Sequence, residues 1–290
     1  MQEVDFYRAN TLDDLHRLLV ETGGRVIAGG TDALVQMQRG AFPAAVVVDA
    51  SRIADLRFIR EDGDRIEIGA LTTYADLLAS PLVRRVAPAL IAAAETVGAP
   101  QTRARGTLGG NIANASPAGD MLPPLLALDA SVTLSSARGI RTLPLSEVLR
   151  GPRQTCLEPG EIIASIAFSR PPEPCGAAFI KLSNRRGMSI AVVSVAAVLA
   201  LDSAWRIAEG RIALGAVAPT AVRSPAAEDA LAGQVSGADT FRRAARAALD
   251  DIAPISDVRA TAAYRRQAAE RLVIRALNAA WERAGGRGGA

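Results

Sequence analysis

A proline-rich segment at residues 171–174, Pro-Pro-Glu-Pro, divides this chain of 290 residues into two parts with different patterns. Proline has no amide N–H and a fixed φ, so neither a helix interior nor a central strand can run through such a segment. Before it, short strand and helix patterns alternate. After it, apolar runs at 176–182, 191–201 and 207–216 come first, and alanine-rich helical patterns follow. This order predicts an α+β protein with a separate C-terminal domain.

The part after the proline segment predicts a single domain. Its three apolar runs are spaced for an antiparallel meander, and the helical patterns cover 225–233, 238–250 and 260–284. We therefore expect residues 175–290 to form a C-terminal domain of a three-stranded sheet and three helices.

The part before the proline segment predicts two smaller units. In residues 1–57, a helix that begins after Thr11 and ends at Gly23 is followed by strand, helix and strand patterns, which indicates an α/β subdomain. Residues 58–170 would form a second subdomain. There we expect a hairpin at 56–69, helices at 73–79, 86–97 and 117–128, strands at 130–135, 140–143 and 161–168, and a long irregular loop at 98–116.

Cysteine and histidine are too scarce for several classes of site. The chain has two cysteines, Cys156 and Cys175, and one histidine, His16. A disulfide scaffold, a tetrahedral zinc site and a four-cysteine iron–sulfur cluster therefore cannot be assembled within it. His16 falls on the polar side of the first helix, so we expect a solvated surface residue. Any metal chemistry would belong to a partner.

Composition and charge predict a folded protein without a nucleic-acid surface or a membrane span. Hydrophobic residues make up 49% of the chain and charged residues 22%, and Lys+Arg total 33 against 30 for Asp+Glu. The basic residues are scattered along the chain and form no long basic stretch with interspersed aromatic residues, the pattern typical of a nucleic-acid-binding surface. The longest apolar run, 190–201, is too short to cross a bilayer, and no signal-peptide pattern opens the chain. We therefore expect a cytoplasmic protein.

The first segment with a chemical signature is Val-Ile-Ala-Gly-Gly-Thr-Asp-Ala-Leu at residues 26–34. A strand pattern leads into two glycines and then into a helix that begins near Asp32. Glycine lets a backbone approach a diphosphate closely, and the exposed N–H groups can bind its oxygens. The segment matches neither the Rossmann fingerprint nor the P-loop. Alone, such a Gly-Gly turn between a strand and a helix is structural more often than it is a binding site.

The second segment is Thr-Leu-Gly-Gly-Asn-Ile-Ala-Asn-Ala-Ser-Pro-Ala-Gly-Asp at residues 107–120. It combines two more glycines with hydroxyl, amide and carboxylate side chains. Such groups suit a sugar, a polyol chain or an amide-rich heterocycle better than a metal. An ordinary capped turn before the next helix is the alternative.

Together, the two segments resemble the FAD loops of the flavoprotein subunits of molybdenum hydroxylases, the family of xanthine dehydrogenase and carbon monoxide dehydrogenase medium subunits. The segments are about 80 residues apart, as in that family, and the resemblance extends over essentially the whole chain. It includes further short matches, at Glu161-Ile162-Ile163, Phe179-Ile180-Lys181, Arg185-Arg186 and Ile190-Ala191. The resemblance implies an FAD-binding domain of the vanillyl-alcohol oxidase-like type, whose two subdomains clamp FAD beneath the C-terminal domain.

The resemblance also implies which residues bind FAD. The first loop would wrap the diphosphate through main-chain N–H groups, and the second would meet the diphosphate and ribityl region from the other side. The first loop comprises Val26, Ile27, Ala28, Gly29, Gly30, Thr31, Asp32 and Ala33, and the second comprises Thr107, Leu108, Gly109, Gly110 and Asn111.

Four further residues match family positions near the flavin. Asp120 would contact sugar or ribityl hydroxyls. Ile163 would pack against the flavin ring, and Lys181 would reach the ring edge. Val97 corresponds to a position near the isoalloxazine that is aromatic in some relatives. No catalytic residue and no metal ligand is expected in this chain.

The implied function is electron transfer within a heteromeric enzyme. The FAD would take electrons from a 2Fe-2S partner subunit and pass them to NAD or another acceptor, while a large subunit with a molybdenum cofactor hydroxylates the substrate. A dimer of heterotrimers is the implied assembly. Family members often carry an Asp before the Ile-Ala pair, where this chain has Met188-Ser189, which leaves the acceptor open. A self-sufficient FAD oxidase or reductase and a non-catalytic nucleotide-binding module are the alternatives.

Overall fold

The described residues form three sheets of three or more strands and one two-stranded sheet, β8-β9, and the first of the larger sheets belongs to the N-terminal part of the chain. The computed structural model describes residues 4–185 and 187–286. The sheet is parallel, in the order β1-β3-β2, and β1 is a strand that the sequence did not predict. The elements of this unit are β1 (Asp5–Arg8), α1 (Leu12–Thr22), β2 (Arg25–Ile27), α2 (Ala33–Gln38) and β3 (Val46–Asp49), followed by a short 3-10 turn at Ala54–Leu56.

Helix α1 confirms its predicted ends. The Thr11 hydroxyl accepts a hydrogen bond from the Asp14 amide, and Gly23 ends the helix with a φ of 61°. The expectation for His16 was wrong. Its side chain is half-buried, and Nε2 lies 3.3 Å from Oγ of Ser135 on a strand of the second sheet. A helix face that is polar in sequence can still pack against a neighbouring unit.

The second sheet is antiparallel, and its strands have the order β4-β5-β10-β6-β7. The predicted hairpin at 56–69 and the three strands near 130–168 are confirmed. The elements of this unit are β4 (Ile59–Asp62), β5 (Arg65–Gly69), α3 (Tyr74–Ala79), α4 (Pro81–Val86), α5 (Pro88–Thr96), α6 (Pro100–Arg105), α7 (Leu108–Asn114), α8 (Leu122–Ala127), β6 (Ser131–Ser136), β7 (Gly139–Pro144), α9 (Leu145–Val148), β8 (Leu149–Gly151), β9 (Gln154–Thr155) and β10 (Ile162–Ser169).

The predicted long loop at 98–116 was wrong, because it contains helices α6 and α7. Pro100 occupies the first turn of α6, and the Thr107 hydroxyl caps α7 by accepting from the Gly110 amide. Both helices are too short to show an apolar period. The helix predicted from Pro117 begins only at Leu122, because a turn closed by the Gly119 amide on the Ser116 carbonyl precedes it.

The third sheet confirms the predicted meander and adds a short fourth strand. Its order is β11-β12-β13-β14, with antiparallel pairing throughout. The three predicted helices are present. The elements are β11 (Cys175–Ser183), β12 (Ala191–Leu201), β13 (Ile207–Gly215), β14 (Val222–Arg223), α10 (Pro225–Leu231), α11 (Ala238–Ala247) and α12 (Ala262–Arg283). Within residues 4–185 and 187–286, none of the helices combines the length and apolar character needed to cross a membrane.

Strand β12 is buried along its whole length, because both faces of the third sheet are covered. Val195, Ala197 and Leu199 belong to the core formed with α11 and α12. Ala196 and Val198, which point to the opposite face, belong to the core of the second unit, where α5 and α8 pack on the sheet. The second unit and the C-terminal domain therefore share one core.

A buried arginine, Arg265, joins α12 to the end of the third sheet where β12 begins and β13 ends. Its side chain is 1% exposed and donates to the carbonyls of Val192 at 2.6 Å and Ala216 at 2.9 Å, and to Asp257 Oδ1 at 2.6 Å. Burial opposes the ionisation of Asp257, but hydrogen bonds from Arg259 and Arg265 outweigh it and hold the Asp257 pKa well below its ordinary value. The buried cation is therefore paired.

Replacing Arg265 with Leu is expected to lower the free energy of unfolding by about 3 kcal/mol, because the Val192 and Ala216 carbonyls lose a buried donor and Asp257 keeps only Arg259 as its partner cation. Urea denaturation of the cofactor-free chain measures the change. Arg271→Leu is the matched control, because Arg271 lies on the same helix with its side chain exposed. Equal effects of the two substitutions would contradict a structural role for Arg265.

Candidate functional site

A cleft of about 860 Å³ lies between the first and second units and brings the two glycine segments together. Strand β2 and the start of α2 form one wall, and α3, α7 and the start of β10 contribute to the other. Most of the residues predicted to bind a cofactor line it, namely all of residues 26–33 together with Thr107, Gly109, Gly110, Asn111 and Ile163. Two segments about 80 residues apart in sequence thus face one cleft.

The first glycine segment presents free amide groups. Within the described parts of the chain, the N–H groups of Gly29, Gly30, Thr31 and Asp32 donate no hydrogen bond to the protein. Gly30 has a φ of 73°, which only glycine adopts easily and which turns the chain from β2 into α2. A run of unpaired N–H groups at such a turn is suited to an anionic oxygen.

The second glycine segment is different, because its amides are already paired. The amides of Leu108 and Gly109 donate to the carbonyls of Thr72 and Ala70, and the Gly110 amide donates to the Thr107 hydroxyl. The segment instead offers side-chain groups. Asn111 Oδ1 is buried and has no hydrogen-bond partner among the described residues. An unpaired buried acceptor is costly unless a ligand donates to it.

The glycines of the two segments are needed for different reasons. A Cβ on Gly29 would lie 1.8 Å from the Arg105 carbonyl oxygen, and one on Gly109 would lie 2.6 Å from Ala70 Cβ. These two glycines allow one part of the protein to pack on another. A Cβ on Gly110, by contrast, would meet one atom of the described residues within 4 Å, Thr107 Oγ1 at 2.8 Å, apart from its chain neighbours and the backbone of its own helix. Gly110 therefore borders open space in the cleft.

Four predicted residues do not line the cleft. Leu108 is fully buried in the core of the second unit. Val97, Asp120 and Lys181 lie instead at the seam between the second unit and β11. There, the Lys181 ammonium donates to Asp120 Oδ2 at 2.6 Å and to the carbonyl of Thr96, the residue before Val97, at 3.4 Å.

The seam pair consists of a carboxylate and the single lysine of the sequence; the other basic residues are arginines. The Lys181 side chain is 5% exposed and that of Asp120 is 11% exposed. Burial raises the pKa of Asp120 to about 6, although Lys181 opposes the shift. A compact ammonium fits between two oxygens where a planar guanidinium would need more space. Asp120 Oδ1 remains unpaired among the described residues.

Sequence reasoning missed several residues of the cleft. Tyr74 lines it from the first turn of α3, and Arg153 lines it from the connection between β8 and β9. Partial desolvation in the cleft raises the pKa of Asp32, and the charge of Arg153 opposes this shift. Arg25 stacks on the Phe42 ring at 4.1 Å from its centroid. Only the capping-box pattern before Tyr74 was visible in the sequence.

No cluster of three or more His, Cys, Asp or Glu side chains that could hold a metal ion occurs in the part of the chain that the structure describes. Cys156 and Cys175 are both free thiols. Arg186, which belongs to one of the matched family patterns, lies outside the described residues.

Two family models match the chain. The first, the FAD binding domain in molybdopterin dehydrogenase, matches residues 2–171, and the second, the CO dehydrogenase flavoprotein C-terminal domain, matches residues 178–280.

Individual relatives match over nearly their full length. The xanthine dehydrogenase FAD-binding subunit of Escherichia coli O157:H7 is 34% identical over 288 residues, which cover 97% of each chain. Subunit alpha of the 6-hydroxypseudooxynicotine dehydrogenase complex of Paenarthrobacter nicotinovorans is 34% identical, over 97% of this chain and 95% of that one. A chain of carbon monoxide dehydrogenase from Hydrogenophaga pseudoflava is 35% identical and superposes with a TM-score of 0.93, over 97% of this chain and 98% of that one. The predicted fold class is confirmed.

Gly29→Ala is expected to destabilise the cofactor-free protein by about 3 kcal/mol, because the new Cβ would collide with the Arg105 backbone. Thermal or urea unfolding of the cofactor-free chain tests this. Gly237→Ala is the control, because a Cβ there meets nothing within 4 Å. A Gly29→Ala chain as stable as the control would show that the two segments can separate without cost.

The seam carboxylate predicts a pH dependence of stability. The Asp120 pKa of about 6 in the folded state exceeds the value of about 3.9 expected in the unfolded chain. Between about pH 4 and pH 6 the folded protein holds a proton that the unfolded chain has released, so the free energy of unfolding falls as pH rises through this interval. In the wild type, this titration should lower the free energy of unfolding by roughly 2–3 kcal/mol between about pH 4 and pH 6. The Asp120→Asn chain should not show this decrease.

Several other carboxylates have lowered pKa values, so the measured quantity is the difference between the wild-type and Asp120→Asn chains at each pH. Asp13→Asn, at an exposed site on α1, is the control. A difference that does not change between about pH 4 and pH 7 would contradict the expected titration.

Proposed function

Because the chain belongs to the family of FAD-binding subunits of the molybdenum hydroxylases, we propose that it is the electron-transfer subunit of a heteromeric enzyme. It is an oxidoreductase subunit, and FAD is its cofactor. In this proposal it takes electrons from a 2Fe-2S partner subunit and passes them to NAD or another acceptor. The observation that carries the proposal is the meeting of two family-matched glycine segments at one cleft.

The cleft has the chemistry that FAD requires. The unpaired N–H groups of residues 29–32 suit a diphosphate, and the hydroxyl and amide groups of Thr107 and Asn111 suit its sugar-like parts. Gly110 leaves open space where a side chain would intrude. When bound, FAD supplies the redox chemistry, since it converts between one-electron and two-electron carriers. The protein holds it, excludes water and sets its electrostatic environment.

We assign the FAD-binding roles to the residues that match the family positions. Residues 26–33 would bind the diphosphate through the main chain, residues 107–111 would meet the diphosphate and ribityl region, and Ile163 would pack against the ring. Asp120, Lys181 and Val97 would act from the seam. The pairing of Lys181 with Asp120 supports a joint role. The ammonium would shift the reduction potential of the flavin ring, and the carboxylate would limit the net charge of the pair.

The three larger sheets, one in each part of the chain, support the proposed division into subdomains 1–57 and 58–170 and a C-terminal domain 175–290. Residues 171–174 would act as the linker between the second subdomain and the C-terminal domain. The two subdomains would clamp FAD between them.

The proposed electron transfer requires two partner subunits. Similar proteins are named as FAD-binding subunits or as subunits of complexes, which supports a large subunit with the molybdenum cofactor and a small subunit with 2Fe-2S clusters. We propose a dimer of heterotrimers in the cytoplasm, where NAD is available. The two relatives are named for different substrates, xanthine and 6-hydroxypseudooxynicotine, which supports the proposal that the large subunit, and not this chain, selects the substrate.

The isolated FAD-loaded chain is expected to exchange electrons with NADH or a redox dye but not to oxidise xanthine, aldehydes or nicotinate. The physical reason is that the chain lacks the ligands for an iron–sulfur cluster and holds only the flavin half of the circuit. Flavin bleaching and product formation, followed in parallel, provide the measurement. Co-purification of the native complex identifies the partner chains.

Turnover of any such substrate by the isolated chain would overturn the proposal and favour a self-sufficient oxidase. If the chain binds FAD but neither NADH nor a reduced dye bleaches the flavin, the result would favour a non-catalytic nucleotide-binding module. Bleaching by dyes alone would retain electron transfer and remove NAD as acceptor.

A further inference from the structure

Ser194 is the one polar residue of an otherwise apolar strand. Strand β12 reads Ala-Val-Val-Ser-Val-Ala-Ala-Val-Leu-Ala-Leu, and every residue in it is buried. Ser194 is 0% exposed, and its hydroxyl has no hydrogen-bond partner among the described residues. Burying a hydroxyl without a partner is unfavourable, and alanine would fill the same position without that cost. A serine here therefore calls for a hydrogen-bond partner.

The Ser194 hydroxyl faces the seam between the second unit and β11. Ser194 is the Cα partner of Lys181 on β11 and of Gly215 on β13, so the three residues form a row on one face of the third sheet. A Cβ on Gly215 would lie 2.5 Å from Ser194 Oγ and 3.0 Å from Pro123 Cγ. Pro123 follows Asp120 by three residues. The row therefore faces the segment that carries the seam carboxylate.

The seam pair leaves hydrogen-bonding positions unused on both of its members. The Lys181 ammonium has three N–H groups, and it donates to Asp120 Oδ2 at 2.6 Å and to the Thr96 carbonyl at 3.4 Å. Its third N–H has no acceptor among the described residues. Asp120 Oδ1 is buried and also lacks a partner there. The seam thus contains a free donor, a free acceptor and a hydroxyl that can act as either.

A single water molecule matches this set of groups. Water both donates and accepts, so it can accept from the Lys181 ammonium, donate to Asp120 Oδ1 and bond to the Ser194 hydroxyl. Buried waters in proteins typically make about three hydrogen bonds to polar groups that the protein leaves unsatisfied. An ion suits the seam less well, because the ammonium repels a cation and the carboxylate repels an anion.

We infer that an ordered water molecule joins Ser194 to the seam pair, and that Ser194 is a positioning residue of this pair. Through the water, the Ser194 hydroxyl keeps the Asp120 carboxylate oriented toward Lys181. The bridge is a property of the folded chain and does not require the proposed function. If the chain failed to bind FAD, the proposed function would be overturned and the bridge would be unaffected.

The sign of the stability change in Ser194→Ala tests the inference. If the hydroxyl is bridged, the equilibrium constant for unfolding should rise about fivefold, the effect of one hydrogen bond. If the hydroxyl has no partner, its removal should leave this constant unchanged or lower it. Urea denaturation of the cofactor-free chain, at a pH above the Asp120 pKa of about 6, provides the measurement. Ser203→Ala, at an exposed site in the turn after β12, is the matched control.

The pH profile of Ser194→Ala separates a bridge from a packing role. A hydrogen bond donated to a carboxylate favours its ionised form, so loss of the bridge should raise the Asp120 pKa further. The folded chain would then keep its extra proton to a higher pH, and the decline in stability should extend to a higher pH than in the wild type. The described groups that act on Asp120 or respond to its charge, Lys181 on β11 and Tyr74 on α3, are the same in both chains.

A high-resolution crystal structure of the wild-type chain tests the bridge directly and does not depend on the folding of a variant. It should show a water within hydrogen-bond distance of Lys181 Nζ, Asp120 Oδ1 and Ser194 Oγ. A direct contact between Ser194 and Asp120, or a Ser194 hydroxyl with no water beside it, would overturn the inference. So would a Ser194→Ala chain that is as stable as the wild type or that has the same pH profile.

Discussion

The cleft exists because the backbones of two distant segments touch directly. Gly29 packs on the Arg105 carbonyl with no room for a Cβ, and Gly109 packs in the same way on Ala70. Any side chain at Gly29 would separate the first unit from the second and widen the space between β2 and α7. The close approach thus fixes the width of the cleft before any ligand is considered. The chemistry that lines the cleft depends on this contact.

A second constraint holds the C-terminal domain on the cofactor-binding part. Strand β12 contributes alternate residues to two cores, one formed with the domain's own helices and one formed with the second unit. The domain therefore cannot move away without exposing the apolar face that packs on the second unit. This packing leaves a seam between the second unit and β11 in which little side-chain surface is exposed. Within it, the ammonium of Lys181 and the carboxylate of Asp120 compensate each other at 2.6 Å. Removing either partner would leave a buried charge, which explains why the seam needs both.

Long strands and helices could be predicted from the sequence. Short helices and contacts between residues far apart in the sequence could not. The strands β11, β12 and β13 are long apolar runs, and Gly23 and Thr11 mark the ends of α1 by local rules. Helices α6 and α7 have only six and seven residues, so their capping residues were visible but no apolar period was. The Lys181–Asp120 pair spans 61 residues and depends on how β11 packs against α5. Tyr74 escaped notice because a tyrosine after a capping box is ordinary in any helix.

The two glycine segments are alike in sequence and opposite in hydrogen bonding. At Gly29 and Gly30 the amides are free, so this side of the cleft offers donors. At Gly109 and Gly110 the amides are paired, so this side offers the side chains of Thr107 and Asn111 instead. A ligand that is anionic at one place and hydroxylated at another matches this polarity, whereas a simple phosphate or a simple sugar matches only half of it. A Gly-Gly dipeptide therefore contributes to two different kinds of binding surface, because the backbone around each dipeptide determines which polar groups remain without a hydrogen-bond partner.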